Sequence, residues 1–216
     1  MKEFILSIRE LIFWKEIVLD SRYDKRKFVD IIILTFGSFL LLGISILLGL
    51  IIFSNYEFVY SYSILICVGV FPYCYIDKCY PKWNEEIISN MKWSVKLVCV
   101  MLLVLFFINL YFGHKNTIMM LLLGIKYLIV SFSEELLFRC YIQKILETQF
   151  KKITATIVQS LLFAFLFHSG LPLILNLLVR FPAGGLLSII YKKTKNINYP
   201  ISIHFMYDMI INIIWL

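Results

Sequence analysis

The chain has 216 residues, of which 61% are hydrophobic and only 16% are charged, and its formal net charge is +7. A soluble domain averages about 45–50% apolar and about 25% charged residues, so this composition excludes an ordinary soluble globular protein and indicates a membrane protein. The excess of Lys and Arg is typical of cytoplasmic loops near anionic lipid and does not require a nucleic-acid partner.

Residues 1–27 are predicted to form a cytoplasmic, basic N-terminal segment. Within it, Phe4, Ile8 and Leu11 fall on one helical face, which is typical of an amphipathic helix on a membrane surface. A plain soluble tail fits the same stretch. The segment lacks the pattern of a cleavable signal peptide, so the first spanning helix is expected to act as its own insertion signal.

The rest of the chain consists of apolar runs close to the roughly 20 residues that cross the hydrocarbon core. The sequence therefore predicts an all-α, polytopic transmembrane helix bundle with about seven spans, within a range of about six to eight. We divide it into N-terminal transmembrane helices at 28–113 and a C-terminal region at 114–216. The predicted spans lie at about 29–53, 58–76, 94–113, 117–147, 154–168, 172–191 and 199–216.

The distribution of Lys and Arg predicts the orientation of these spans. Every second connection between spans is poor in Lys and Arg: those around 54–57, 113–116 and 169–171 contain one such residue, Lys115. Because cytoplasmic loops carry the excess of Lys and Arg, the N-terminus is expected in the cytoplasm. The basic connections are 1–27, 77–92, 144–152 and 192–195.

Ionisable side chains inside spanning segments are costly and are therefore functional candidates. Glu135 and Arg139 are four residues apart in a predicted helix, with the acid N-terminal to the base, which favours an ion pair. Glu134 points about 100° away and is the freer carboxylate, so it is the better candidate for a general base. The alternative is that Glu134 caps or hydrogen-bonds a neighbouring helix.

Three further polar residues lie closer to the C-terminus. His204 and Asp208 are four residues apart, so the carboxylate can orient the imidazole, although a structural hydrogen bond between helices fits the same pair. His168 ends a predicted helix, where histidine is commonly an interfacial residue. Measured along the helices from Lys144 and Lys195, Glu134 and His204 lie at similar depths, about 15 Å and about 13 Å. His168 matches that depth only if its helix is short or tilted.

In this order, these residues resemble the three motifs of the CPBP family of intramembrane proteases, which includes CAAX prenyl endopeptidases and bacterial Abi-type proteins associated with bacteriocins. The family pattern is EExxxR, then FxxxH, then HxxxN or HxxxD, each on its own transmembrane helix. The first and third motifs match fully, as Glu134-Glu135-Leu-Leu-Phe-Arg139 and His204-Phe-Met-Tyr-Asp208. The resemblance covers roughly residues 117–216 and identifies 114–216 as a CPBP-like catalytic core.

The second motif departs from the family pattern. Ala164 stands four residues before His168, while phenylalanines stand at 163, 165 and 167. Since the aromatic residue of this motif is expected to be a packing residue, we expect one of these neighbouring rings to substitute for it.

The resemblance implies an intramembrane endopeptidase in which Glu134 and His168 hold and deprotonate a water molecule that attacks the substrate carbonyl. His204, with Asp208, would stabilise the oxyanion, while Arg139 and Glu135 would order the site. Because an ionised aspartate cannot donate a hydrogen bond, the oxyanion role falls mainly to His204.

The same residues bear on cofactors and partners. Two Glu, two His and an Asp could ligate Zn²⁺. However, the sequence contains no HExxH pair, and the resemblance implies a glutamate-dependent peptidase, so no metal or other cofactor is expected.

The expected substrate is a membrane-associated or leader-bearing peptide or a lipoprotein, in the lipid bilayer of a bacterial cell membrane. A membrane partner protein is a further candidate, and nucleic acid is not expected.

Two other functions remain open at this stage. A CPBP-like protein without protease activity could confer bacteriocin immunity, regulate a partner or support N-acylation of lipoproteins, because a base and an oxyanion donor serve acyl transfer as well as hydrolysis. A transporter would need matching helix breaks in two inverted repeats, and the break at 182–185 has no clear counterpart upstream.

The odd number of cysteines without CxxC spacing argues against a disulfide framework.

Overall fold

The computed structural model describes residues 24–53, 55–80, 82, 99, 100, 103, 107, 117–166 and 172–215. Every secondary-structure element in this part of the chain is helical, which confirms the predicted all-α class. The amphipathic helix predicted within 1–27 and most of the span predicted at 94–113 lie outside the described residues.

Six helices form the described bundle. The central one, α3, covers 117–149 and is made of Thr117–Glu135, Leu136–Ile142 and Gln143–Gln149 in succession. The others are α1 at Lys25–Ile52, α2 at Tyr56–Cys79, α4 at Lys152–Leu166, α5 at Leu173–Thr194 and α6 at Asn198–Trp215.

By length and composition, α1, α2 and α5 are long and apolar enough to cross a membrane. The apolar helix α4 has 15 residues, fewer than the roughly 20 needed to cross at right angles. The described helices thus support an integral membrane protein, whereas the predicted number of about seven spans is not confirmed.

Wide π-helical turns interrupt several of these helices. In α3 the turn is Leu136–Ile142, and in α5 it is Asn176–Arg180. Insertions of this kind change the direction of the side chains that follow and are frequent at functional sites. Each of these two turns carries an arginine that reaches the site described below.

The hairpin of α1 and α2 shows how small and polar residues join neighbouring helices. Asn55 caps α2 by accepting a hydrogen bond from the backbone N–H of Phe58 at 3.1 Å. The hydroxyl groups of Ser45 and Ser63 lie 2.9 Å apart across the pair. Because lipid provides no hydrophobic drive between helices, such hydrogen bonds and close packing must hold them together.

Two hydrogen bonds join helix ends at one end of the bundle. The backbone N–H of Asp24, before α1, donates to Oε1 of Gln149, the last residue of α3, at 2.8 Å. Nζ of Lys192, near the end of α5, donates to the carbonyl oxygen of Lys152 at 2.6 Å. We call this the Asp24 end. The opposite end, at the α1–α2 turn, is the Asn55 end.

α3 occupies the centre of the bundle. It contacts α1, α2, α4 and α6, and its π turn Leu136–Ile142 is buried throughout. α5 packs mainly on α4 and α6. The polar residues that precede and occupy this π turn are therefore enclosed by protein and kept away from lipid, as intramembrane charges require.

Candidate active site

The structure brings the predicted residues of α3 and α6 together between the two helices. All of them are buried, and the glutamates and the arginine are at most 3% exposed. The assembled residues are Glu134, Glu135, Arg139, His204 and Asp208. His168 lies outside the described residues, so its place in this site stays a prediction.

Glu135 joins the two helices. Its Oε2 accepts a hydrogen bond from Nε of Arg139 at 2.7 Å, and its Oε1 accepts one from Nη2 at 3.3 Å, which confirms the predicted ion pair. Oε1 also lies 2.9 Å from Nδ1 of His204. Since an ionised carboxylate only accepts hydrogen bonds, Nδ1 carries the proton in this contact. Glu135 thus orients His204 as well as neutralising Arg139.

The other ring nitrogen of His204 faces two carboxylates. Nε2 lies 3.4 Å from Oδ2 of Asp208 and 3.9 Å from Oε2 of Glu134. The sequence spacing suggested Asp208 as the group that orients the imidazole. The shorter contact is instead made by Glu135 on the opposite nitrogen, because the packing of α3 on α6 brings in a carboxylate that spacing along α6 cannot reveal.

Glu134 is the freer of the two adjacent glutamates, as predicted. Among the described residues, its Oε2 has no hydrogen-bond partner, and neither has Nη1 of Arg139. The 3.9 Å between Oε2 and His204 Nε2 is too long for a direct hydrogen bond. Glu134 therefore places beside the imidazole a buried carboxylate oxygen that has no partner in the described part of the chain.

A phenylalanine of α4 forms one wall of the site. The ring centroid of Phe163 lies 5.8 Å from that of His204 in an edge-on arrangement, and Cζ of Arg139 lies 5.0 Å from the ring centroid of Phe163. Phe163 is thus a ring neighbouring Ala164 that packs on the site, as expected for the second motif. Gly184 of α5 lets α4 approach closely, since a Cβ there would lie 3.0 Å from the Phe163 ring.

Arg180, in the π turn of α5, was missed by the sequence analysis. Its Nη1 lies 4.0 Å from Oδ1 of Asp208, and its Cζ lies 5.5 Å from the ring centroid of Tyr207. The signal was present, because Arg180 is an ionisable residue inside the run predicted at 172–191. What spacing could not show is that α5 turns this side chain toward α6.

Gln159 of α4 is a second residue that the sequence analysis passed over. It is completely buried, and neither atom of its amide group has a hydrogen-bond partner among the described residues.

Within the part of the chain that the structure describes, no group of three or more His, Cys, Asp or Glu is arranged to hold a metal ion. His168, which the sequence offers as a ligand, is outside that part.

Residues 115–210 match the family model of the type II CAAX prenyl endopeptidases, Rce1-like. This range contains all of the predicted site residues, His168 included, and the match confirms the resemblance drawn from the motifs. No curated protein and no solved structure matches the chain. At the level of the family, the match supports a membrane endopeptidase.

Proposed function

The chain contains, at residues 115–210, a domain of the Rce1-like family of type II CAAX prenyl endopeptidases, and from this premise we propose that it is an intramembrane endopeptidase. Its substrate is a membrane-associated or leader-bearing peptide or protein. The observation that carries the proposal is the position of Oε2 of Glu134, which is buried 3.9 Å from Nε2 of His204 and has no hydrogen-bond partner among the described residues. A water or substrate oxygen to one side of this pair can lie within hydrogen-bond distance of both atoms.

Glu134 acts as the general base in this mechanism. It takes a proton from a water molecule that His168 helps to hold, and the oxygen of that water attacks the carbonyl carbon of the peptide bond. When the tetrahedral intermediate collapses, the C–N bond breaks and Glu134 returns the proton to the leaving nitrogen. The burial of Glu134 suits this step, because it keeps bulk water from competing for the carboxylate.

His204 stabilises the oxyanion. Its Nδ1–H donates to Glu135, which leaves Nε2 directed at the reacting centre. The site contains three carboxylates, on Glu134, Glu135 and Asp208, and two arginines, Arg139 and Arg180. When both nitrogens of His204 carry a proton, the imidazolium supplies a third positive charge and the site is neutral. Nε2–H then donates to the developing oxyanion at fixed geometry, which is where a preorganised donor is most effective.

The experiment compares Glu134→Ala, His168→Ala and His204→Ala with the wild type in proteoliposomes. The probe is a quenched farnesylated peptide with a CAAX terminus, and host membrane peptides and lipoproteins are analysed by mass spectrometry in parallel. Each substitution is expected to lower cleavage by about 100-fold or more, because a general base or an oxyanion donor is lost. The same cleavage is expected in the presence of a zinc chelator.

Glu147→Ala is the matched control. Glu147 is a glutamate of the same helix, but it pairs with Lys192 at 3.0 Å near the Asp24 end and away from His204. Its cleavage rate is expected to stay within about threefold of the wild type. Unchanged products in all three site variants would overturn the proposal. Altered lipoprotein N-acylation without altered cleavage would replace it by acyl transfer.

A further inference from the structure

The charged side chains of the site form one alternating chain across three helices. Arg139 pairs with Glu135, which holds Nδ1 of His204. On the other side of the ring, Asp208 approaches Nε2 at 3.4 Å, and Arg180 approaches Asp208 at 4.0 Å. His204 therefore lies between Glu135 and Asp208, each of which is close to an arginine. Glu134, 3.9 Å from Nε2, is a third carboxylate beside the ring.

The two halves of this chain differ in tightness. The Arg139–Glu135 half is completely buried and directly hydrogen-bonded. In the other half, the side chains of Arg180 and Asp208 are 20% and 11% exposed, and their closest charged atoms are 4.0 Å apart. Asp208 is thus held less tightly than Glu135, and its position depends on the balance between Arg180 and His204.

Arg180 is itself fixed from α6. Its guanidinium group lies over the ring of Tyr207, the residue before Asp208, at 5.5 Å from the ring centroid. A cation over an aromatic face is held by the negative potential of the ring. The same short segment of α6 therefore positions the arginine and presents the carboxylate to it.

We propose that Arg180 is a positioning residue of the site, which balances the charge of Asp208 and holds its carboxylate back from Nε2 of His204. This inference rests on the proposed function, in which Nε2–H must be available to the oxyanion. Without Arg180, attraction to protonated His204 draws Asp208 into a normal hydrogen bond of about 2.7–2.9 Å, and the donor is consumed. An uncharged residue at position 208 needs no such counter-ion.

The test is a double-substitution cycle of Arg180→Met, Asp208→Asn and both together, assayed with the farnesylated CAAX probe. Arg180→Met is expected to lower kcat by about 10- to 100-fold with KM changed by less than about threefold, because a transition-state contact is lost and substrate binding is not. The double variant is expected to recover to within about threefold of Asp208→Asn, since the unbalanced carboxylate is gone. Arg180→Lys, which keeps the charge, should retain more activity than Arg180→Met.

Lys192→Met, alone and combined with Asp208→Asn, is the matched control. Lys192 is a cation of the same helix as Arg180, with a side chain 19% exposed, but it pairs with Glu147 at 3.0 Å near the Asp24 end. Asp208→Asn is not expected to restore any activity that Lys192→Met loses. The inference is overturned if Arg180→Met keeps the wild-type kcat, or if the double variant is no faster than Arg180→Met.

Thermal unfolding of the same four proteins separates this inference from the proposed function. If the wild type cleaves nothing, the proposed function fails, and the melting temperatures decide whether Arg180 holds Asp208. Losses in Tm that simply add would overturn the inference. A double variant that melts a few degrees above the additive value would support it, because only contacting residues show such coupling.

Discussion

At the scale of single residues, the adjacent glutamates Glu134 and Glu135 differ in their hydrogen-bond partners. Glu135 accepts hydrogen bonds from Arg139 and His204, whereas Oε2 of Glu134 has no partner in the described part of the chain. Both carboxylates face His204, but because successive helical residues point about 100° apart, only Glu135 also meets Arg139 one turn along α3. Neighbours in sequence therefore have different roles.

This difference predicts opposite effects of Glu→Gln at the two positions. Glu135→Gln should destabilise the fold by about 3–5 kcal/mol, because it leaves Arg139 as an uncompensated buried charge. Glu134→Gln should change the free energy of unfolding by only about 1 kcal/mol, since Oε2 has no hydrogen-bond partner among the described residues and its charged contact with Nε2 of His204 is long, at 3.9 Å. It should nevertheless abolish cleavage. Thermal unfolding in detergent and the probe assay measure both effects, and equal losses of stability would contradict the assignment.

At the scale of helices, the contact of α4 with α5 determines where the Phe163 ring lies. A Cβ at Gly184 would be 3.0 Å from Cδ1 of Phe163 and 3.4 Å from the backbone of Ser160. The ring has little room to yield, because it is also packed edge-on against Phe138 at 5.3 Å. The absence of a side chain at Gly184 thus contributes to the shape of the site.

Gly184→Val is therefore expected to displace the Phe163 ring, which packs edge-on against His204. The variant should lose about 1–3 kcal/mol of stability from overpacking and should cleave the probe more slowly than the wild type. Gly43→Val is the control, since a Cβ at Gly43 meets nothing within 4 Å. Unfolding and cleavage assays compare the two. An effect of Gly184→Val no larger than that of Gly43→Val would show that the close approach is unimportant.

At the scale of the whole molecule, the helices have consistent directions. The first part of α2, Tyr56–Ile64, contacts the first part of α3, while Phe71–Cys79 contacts Leu136–Ile142. α2 and α3 therefore run in the same direction, from the Asn55 end toward the Asp24 end. α5 also ends at the Asp24 end, where Lys192 binds the carbonyl oxygen of Lys152.

These directions, together with the distribution of basic residues, predict which side each end of the bundle faces. In a variant without native cysteines, Lys151→Cys and Lys195→Cys are expected to react with a membrane-impermeant maleimide only after the cells are permeabilised. Asn55→Cys is expected to react in intact cells. Labelling all three positions from one side would contradict the helix directions, and the reverse pattern would contradict the cytoplasmic N-terminus.

The sequence by itself determined what depends on local spacing. Apolar runs predict membrane helices, and four-residue spacing correctly predicts the Glu135–Arg139 ion pair, because neighbours on one helix meet whatever surrounds them. Only the tertiary structure decided that Glu135 holds His204 and that Arg180 meets Asp208. Glu135 and His204 are 69 residues apart, and their 2.9 Å contact depends on how α3 packs against α6. Such a contact is set by the relative rotation and depth of two helices, which periodicity along either helix does not contain.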